Sequence, residues 1–225
     1  MASYIYCPVM TGEMIAVANS WNNGRAARGK APYQVIGASD SGAGKWLRRT
    51  FVGGKLDQVQ DNDRLYILAH GYQSKEAHGA LVIGAQRGDY VASGQSLTGY
   101  AVQAAPGVGP KLYRAVTFAK HLEDEGLSKG FVDLRLFCCG SGLDGMQNGV
   151  NYAPYASRLK AAMVARGYAQ IMVAGYLGDL SAEHMPRFAP GTSYADPSKA
   201  IKTGKGVTLP GDTYGSPASQ HRVRF

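Results

Sequence analysis

Only three cysteines occur in the 225 residues, Cys7, Cys138 and Cys139. So sparse and odd a set excludes a disulfide framework, and free thiols in a reducing compartment are the expectation. Cys138 and Cys139 are neighbours, and Cα atoms about 3.8 Å apart are too close for an ordinary bridge. The chain also lacks any run of about 18 apolar residues, so no transmembrane helix is expected. Its first residues, MASYIYCPVMTGEM, lack the basic start and apolar stretch of a secretory signal, which points to a cytoplasmic protein without a cleaved leader. Charge is scarce as well: 18% of residues are charged, and no Lys/Arg run exceeds two. A net charge of +8 with a pI of about 9.4 still leaves a basic surface. That surface serves solubility, or it holds an anionic partner such as nucleic acid, acidic lipid or polyphosphate. The scattered basic residues argue against nucleic acid.

What is present is a globular composition, 45% hydrophobic with 30 glycines and 14 tyrosines, in a chain long enough for a sizeable core. Strand-like runs are expected at 3–10, 33–39, 64–71, 131–139 and 170–178, the last three apolar without alternation, as in parallel strands covered on both faces. Helical patterns are expected at 44–59, 111–125 and 154–167, with Gly126 and Gly167 as stops. Residues 79–104 read as short strands and turns, with a hairpin about Arg87-Gly88-Asp89. Strands alternating with helices predict an α/β fold in three layers, a mostly parallel central sheet with helices on both faces. One domain is expected over 1–190, followed by a Gly/Pro-rich basic segment, 191–225, that wraps the domain or moves freely.

Several motifs compete for the chemistry. GASDSGAGKW (37–46) has the look of a phosphate-binding loop, but Ser39 stands where the first glycine belongs and Trp46 where the magnesium-binding hydroxyl belongs. Cys138-Cys139 lacks the C-x2-C spacing of a zinc site, and His78, His121 and His184 lie in unrelated contexts. Gly140-Ser141-Gly142 is one residue short of the Gly-x-Ser-x-Gly turn of serine hydrolases. Thiol catalysis fits better. In such sheets chemistry gathers at the carboxyl ends of the strands, and His70-Gly71 and Cys139-Gly140 both fall there. A thiol nucleophile needs a base and an oxyanion hole of backbone N–H groups, and Gly71 lacks a side chain that would keep a carbonyl away. On residue types alone, a strand-end histidine beside two core thiols remains the plainer reading.

An apolar block ending in small-His-Gly, LYILAHG (65–71), and a later one ending in small-Cys, LRLFCCGSG (134–142), resemble the caspase-like (clan CD) cysteine peptidases. Cys139-Gly140-Ser141-Gly142 is similar to the continuation seen in legumains and separases. The strand-helix-strand that follows, 155–178, is closest in style to the self-processing protease domains of large bacterial toxins. The resemblance covers about 64–178. It implies Cys139 as nucleophile, Cys138 in the small buried place before it, His70 as acid and base, and the N–H groups of Gly71 and Cys139 as the oxyanion hole. It implies no cofactor for the chemistry, and inositol hexakisphosphate as an activator that the basic surface would suit. Asp40 or Asp179 would face a basic P1 side chain or, in the plainer reading, water, while similarity to the toxin-type relatives implies an apolar P1 leucine instead. The implied activity is cleavage of a protein target or of the chain itself, by a bacterial effector or toxin delivered into a host or target cell. The competing reading is a non-catalytic module on the same fold that holds an anionic partner; a serine hydrolase using Ser141 is the third.

Overall fold

The structure, a computed structural model, describes residues 1–9, 12–27, 29–37, 55–73, 81–85, 111–147, 150–187, 202–208 and 216–225. The core strands are short, apolar and rich in β-branched and aromatic residues, which suits a pleated surface packed on both sides. They are β1 (Ser3–Cys7), β2 (Gln34–Gly37), β3 (Arg64–Leu68), β7 (Asp133–Phe137), β10 (Met172–Tyr176) and β14 (Arg222–Arg224). Together they form a six-stranded sheet in the order β14-β10-β7-β3-β1-β2. Every neighbouring pair is parallel except β10–β14. The expected α/β fold with a mostly parallel central sheet is the one observed.

Side chains alternate between the two faces of the sheet. Tyr4 and Tyr6, Leu65 and Ile67, and Leu134, Leu136 and Cys138 point into one buried cluster, whereas Ile5 and Cys7, Tyr66 and Leu68, and Phe137 point into another. Helix α1 (Gly12–Ala26) covers the second cluster through Met14, Val17, Ala18 and Trp21. Helices α2 (Ala115–Asp124) and α3 (Tyr155–Val164) cover the first through Phe118, Ala119, Leu122, Leu159 and Met163. Chain direction accounts for the split. From β1 the sheet grows one way to β2 and the other way through β3, β7 and β10, and right-handed crossovers then place their helices on opposite faces.

Three smaller sheets join the core. β4 (His70–Gln73), β5 (Leu81–Ala85) and β6 (Lys111–Tyr113) form one, β11 (Asp179–Arg187), β12 (Lys202–Thr208) and β13 (Ser216–Pro217) another, and β8 (Gly145–Gln147) with β9 (Val150–Tyr152) a hairpin.

The structure departs from the sequence expectations in places. The pattern at 111–125 divides into a strand and a helix, because Ile83 of β5 pairs with Tyr113 and Arg114 is extended before the helix begins. Tyr113 then lies 4.9 Å from the His121 ring and 5.4 Å from Phe118, so its place is set by packing across the core and not by helical spacing. Helix α1 had no counterpart among the expected elements. Its apolar stripe is interrupted by Asn19, Ser20, Asn22, Asn23 and Gly24, which are weak helix formers. Of the 44–59 pattern, residues 55–58 form a turn and 44–54 lie outside the described residues, as does the Arg87-Gly88-Asp89 hairpin.

The expected boundary after residue 190 is not where the central sheet ends. Arg224, Val223 and Arg222 pair with Ala174, Gly175 and Tyr176, and the Phe225 N–H donates to the Val173 carbonyl at 3.0 Å. Gly/Pro-rich composition hid this short strand, which gains its stability from the β10 edge. Removing residues 222–225 should strip that edge and take the Phe225 ring from the core. Losing about 2 kcal/mol would lower the unfolding midpoint by roughly 4–8 °C in a chain of this size. A thermal melt unchanged by the truncation would make the segment an appendage.

Candidate functional site

The site begins with the β3–β7 ladder. Its register runs from Arg64↔Asp133 to Leu68↔Phe137, so the two strands leave the sheet side by side. β3 is followed by Ala69 and His70, where the chain passes into the β4–β5–β6 sheet with His70 opposite Gly84. β7 is followed by Cys138 and Cys139. Both exits lie on the carboxyl edge of the sheet, where open α/β sheets place their chemistry, and the β3 exit borders the β1/β3 boundary where chain order reverses.

Gly71 packs directly on Cys139. A β-carbon built on Gly71 would collide with the Cys139 carbonyl oxygen and lie 3.4 Å from its amide nitrogen. The missing side chain is therefore taken up by the Cys139 backbone, a tighter role than the open approach for a substrate carbonyl expected from sequence. Gly140 turns the chain with φ of +66°, a left-handed conformation that glycine adopts without strain.

The three thiols have different surroundings. Cys7 is buried, and burial pushes its thiol up to about 12. Cys138 is fully buried in the α2/α3 cluster with Sγ 3.8 Å from the Ile67 carbonyl, and burial pushes its thiol far above the ordinary range. Cys139 is partly exposed, and its Sγ accepts the Leu180 N–H at 3.3 Å. Of the three thiols Cys139 is the one that is not buried, so it is the one a substrate can reach. His70 is partly exposed as well.

Comparison with protein-family models, with curated proteins and with solved structures finds no match.

Ser141 is not placed as a nucleophile. It is wholly buried; its hydroxyl donates to the Leu136 carbonyl at 3.0 Å and accepts the Tyr176 N–H at 3.1 Å. Asp179 is the first residue of β11, next to Leu180. Asp40 lies outside the described residues, as do all of the phosphate-loop-like stretch but Gly37, and His78. His121 is buried, bonded through Nε2 to the Tyr6 hydroxyl at 2.7 Å. Among the described residues no three His, Cys, Asp or Glu side chains are grouped to hold a metal ion. No helix of the described residues is long and apolar enough to cross a membrane.

Sequence reasoning missed Leu180 and the close approach of Gly142 to Gly175. A β-carbon on Gly142 would come within 3.0 Å of the Gly175 and Tyr176 backbones. The glycines at 142 and 175 were the available signal, since each marks a place where backbone meets backbone.

Gly71→Ala should force one strand exit to shift, costing about 1–3 kcal/mol and slowing alkylation of Cys139. Gly145→Ala, whose new methyl would meet nothing closer than Tyr152 Cβ at 3.8 Å, is the control. Denaturation midpoints and thiol labelling check both, and equal behaviour of the two variants would contradict the packing described.

Proposed function

We propose that the chain is a cysteine endopeptidase of caspase-like type, acting on a protein target or on itself. One observation carries the reading: Gly71, the residue after His70, packs on the backbone of Cys139, the one cysteine of the three that is partly exposed, and the Cys139 sulfur accepts the Leu180 N–H. In this reading the Cys139 thiolate attacks the scissile carbonyl carbon while the N–H groups of Gly71 and Cys139 receive the developing oxyanion. The C–N bond breaks as His70 gives its proton to the leaving amine. Water, deprotonated by His70, then attacks the thioester, releasing the acid and restoring the thiol. Asp179 begins the strand whose second residue meets the Cys139 sulfur, and that place in the chain makes it the residue proposed for a basic P1 specificity. The order of the blocks and the sheet edge they share support the caspase-like assignment. An effector or toxin setting rests on the style of the resemblance alone.

Cys139→Ala and His70→Ala should each lower peptidase activity by about 100-fold or more, while Cys138→Ala retains it. A fluorogenic peptide panel and the intact chain as its own substrate supply the assay. Wild-type cleavage by Cys139→Ala would overturn the proposal.

A second reading, a module that holds an anionic partner, is favoured by a different observation. On the α1 face, Arg64 and Arg135 share Asp133, and cross-strand pairing brings Arg222 and Arg224 beside Tyr176 and Ala174 on that face. Burial and the nearby Arg135 and Arg224 charges hold the Arg222 guanidinium below its ordinary value. Asp133 is the one carboxylate in this group among the described residues, leaving an excess of positive charge for a polyphosphate such as inositol hexakisphosphate. Binding that weakens steeply with salt, together with an inert Cys139, would put this reading first.

A further inference from the structure

The β7–β10 ladder pairs Met172 with Asp133, Val173 with Leu134 and Ala174 with Arg135. Beyond Ala174 the two strands part, and the Leu136 carbonyl and the Tyr176 N–H are joined through the Ser141 hydroxyl instead. The rest of Ser141 is held as firmly. Its N–H donates to the Cys138 carbonyl at 3.2 Å, and its carbonyl accepts the Ala156 N–H, in the first turn of α3, at 3.0 Å. The flanking glycines close the turn onto the same strand end, Gly140 N–H to the Gly178 carbonyl at 3.1 Å and Gly142 N–H to the Tyr176 carbonyl at 2.9 Å.

We propose that Ser141 is a positioning residue whose buried hydroxyl holds the Cys139 sulfur against the Leu180 N–H by locking the end of β7 to the end of β10. The inference rests on the reading of Cys139 as the nucleophile. The geometry gives the reason for a hydroxyl. One small atom must donate to a carbonyl on the Cys139 side and accept an N–H on the strand that leads, four residues later, to Leu180. Alanine can do neither, and it leaves two buried backbone groups without their partner. Those groups then draw the strand ends toward water, and the contact between sulfur and Leu180 opens.

The test measures the alkylation rate of Cys139 against pH, by mass spectrometry of the full chain, in wild type, Ser141→Ala and Tyr168→Phe. Tyr168→Phe removes a buried hydrogen bond of the same kind elsewhere, from the Tyr168 hydroxyl to the Leu127 carbonyl at 2.9 Å. Unfolding midpoints are taken for all three, so that each is read while folded. Ser141→Ala should alkylate Cys139 about tenfold more slowly, with the pH profile moved upward, while Tyr168→Phe stays within about twofold of wild type, since small misplacements of a reacting group are costly. If Ser141→Ala does not fold, Ser141→Cys, which keeps a weak donor and acceptor, should give an intermediate loss. Parallel changes in the serine and tyrosine variants would mean a stabilising role only, and an unchanged Cys139 profile in the serine variant would also overturn the proposal. The peptidase reading fails separately, through activity retained in Cys139→Ala, because alkylation needs only the thiol.

Discussion

The parallel ladder between β3 and β7 is the constraint on which the site depends. Its five registered pairs, Arg64↔Asp133 through Leu68↔Phe137, bring two strand exits that are 69 residues apart in sequence to one level of the sheet. A slip of one residue would turn every side chain of one strand to the other face. Cys138 would then leave the α2/α3 core, and Tyr66 would lose its 3.2 Å hydrogen bond with Arg135. Burial on both faces therefore sets the register, and the register sets which backbone Gly71 meets.

The edge where the strands end has a different character from their middles. In the middle, backbone groups pair strand to strand and side chains fill two apolar clusters. At the edge the strands part, and the backbone groups they release are taken up by Ser141, Gly140 and Gly142. That parting gives the Cys139 turn its room and lets β3 pass into a second sheet at His70. The proposed chemistry and the close backbone contacts at the site glycines thus share one cause, the divergence of the central strands at their carboxyl ends.

Much of this was legible in the sequence. Unbroken apolar runs such as LYIL and LRLF mark strands buried on both faces, and Pro154 and Gly167 bracket α3 closely. The contrast between Cys138 and Cys139 also follows from alternation, since a strand that buries Leu134 and Leu136 on one face carries Cys138 to that face. What stayed hidden depended on distant partners. Helix α1 has a stripe diluted by asparagines and is held by Trp21, whose ring lies 4.4 Å from Phe137. Strand β14 is three residues long and exists because β10 offers an edge. The role of Gly71 could not be read locally either, because the atom that fills its missing side chain belongs to Cys139.

The most direct measurement is mass spectrometry after reaction with a thiol-reactive peptidyl probe, comparing wild type with His70→Ala. Labelling confined to Cys139, and lost when His70 is replaced, is the result expected of a dyad assembled by the β3–β7 register. Slow labelling shared between Cys138 and Cys139 and indifferent to His70 would contradict it, leaving a pair of core thiols at the end of a strand.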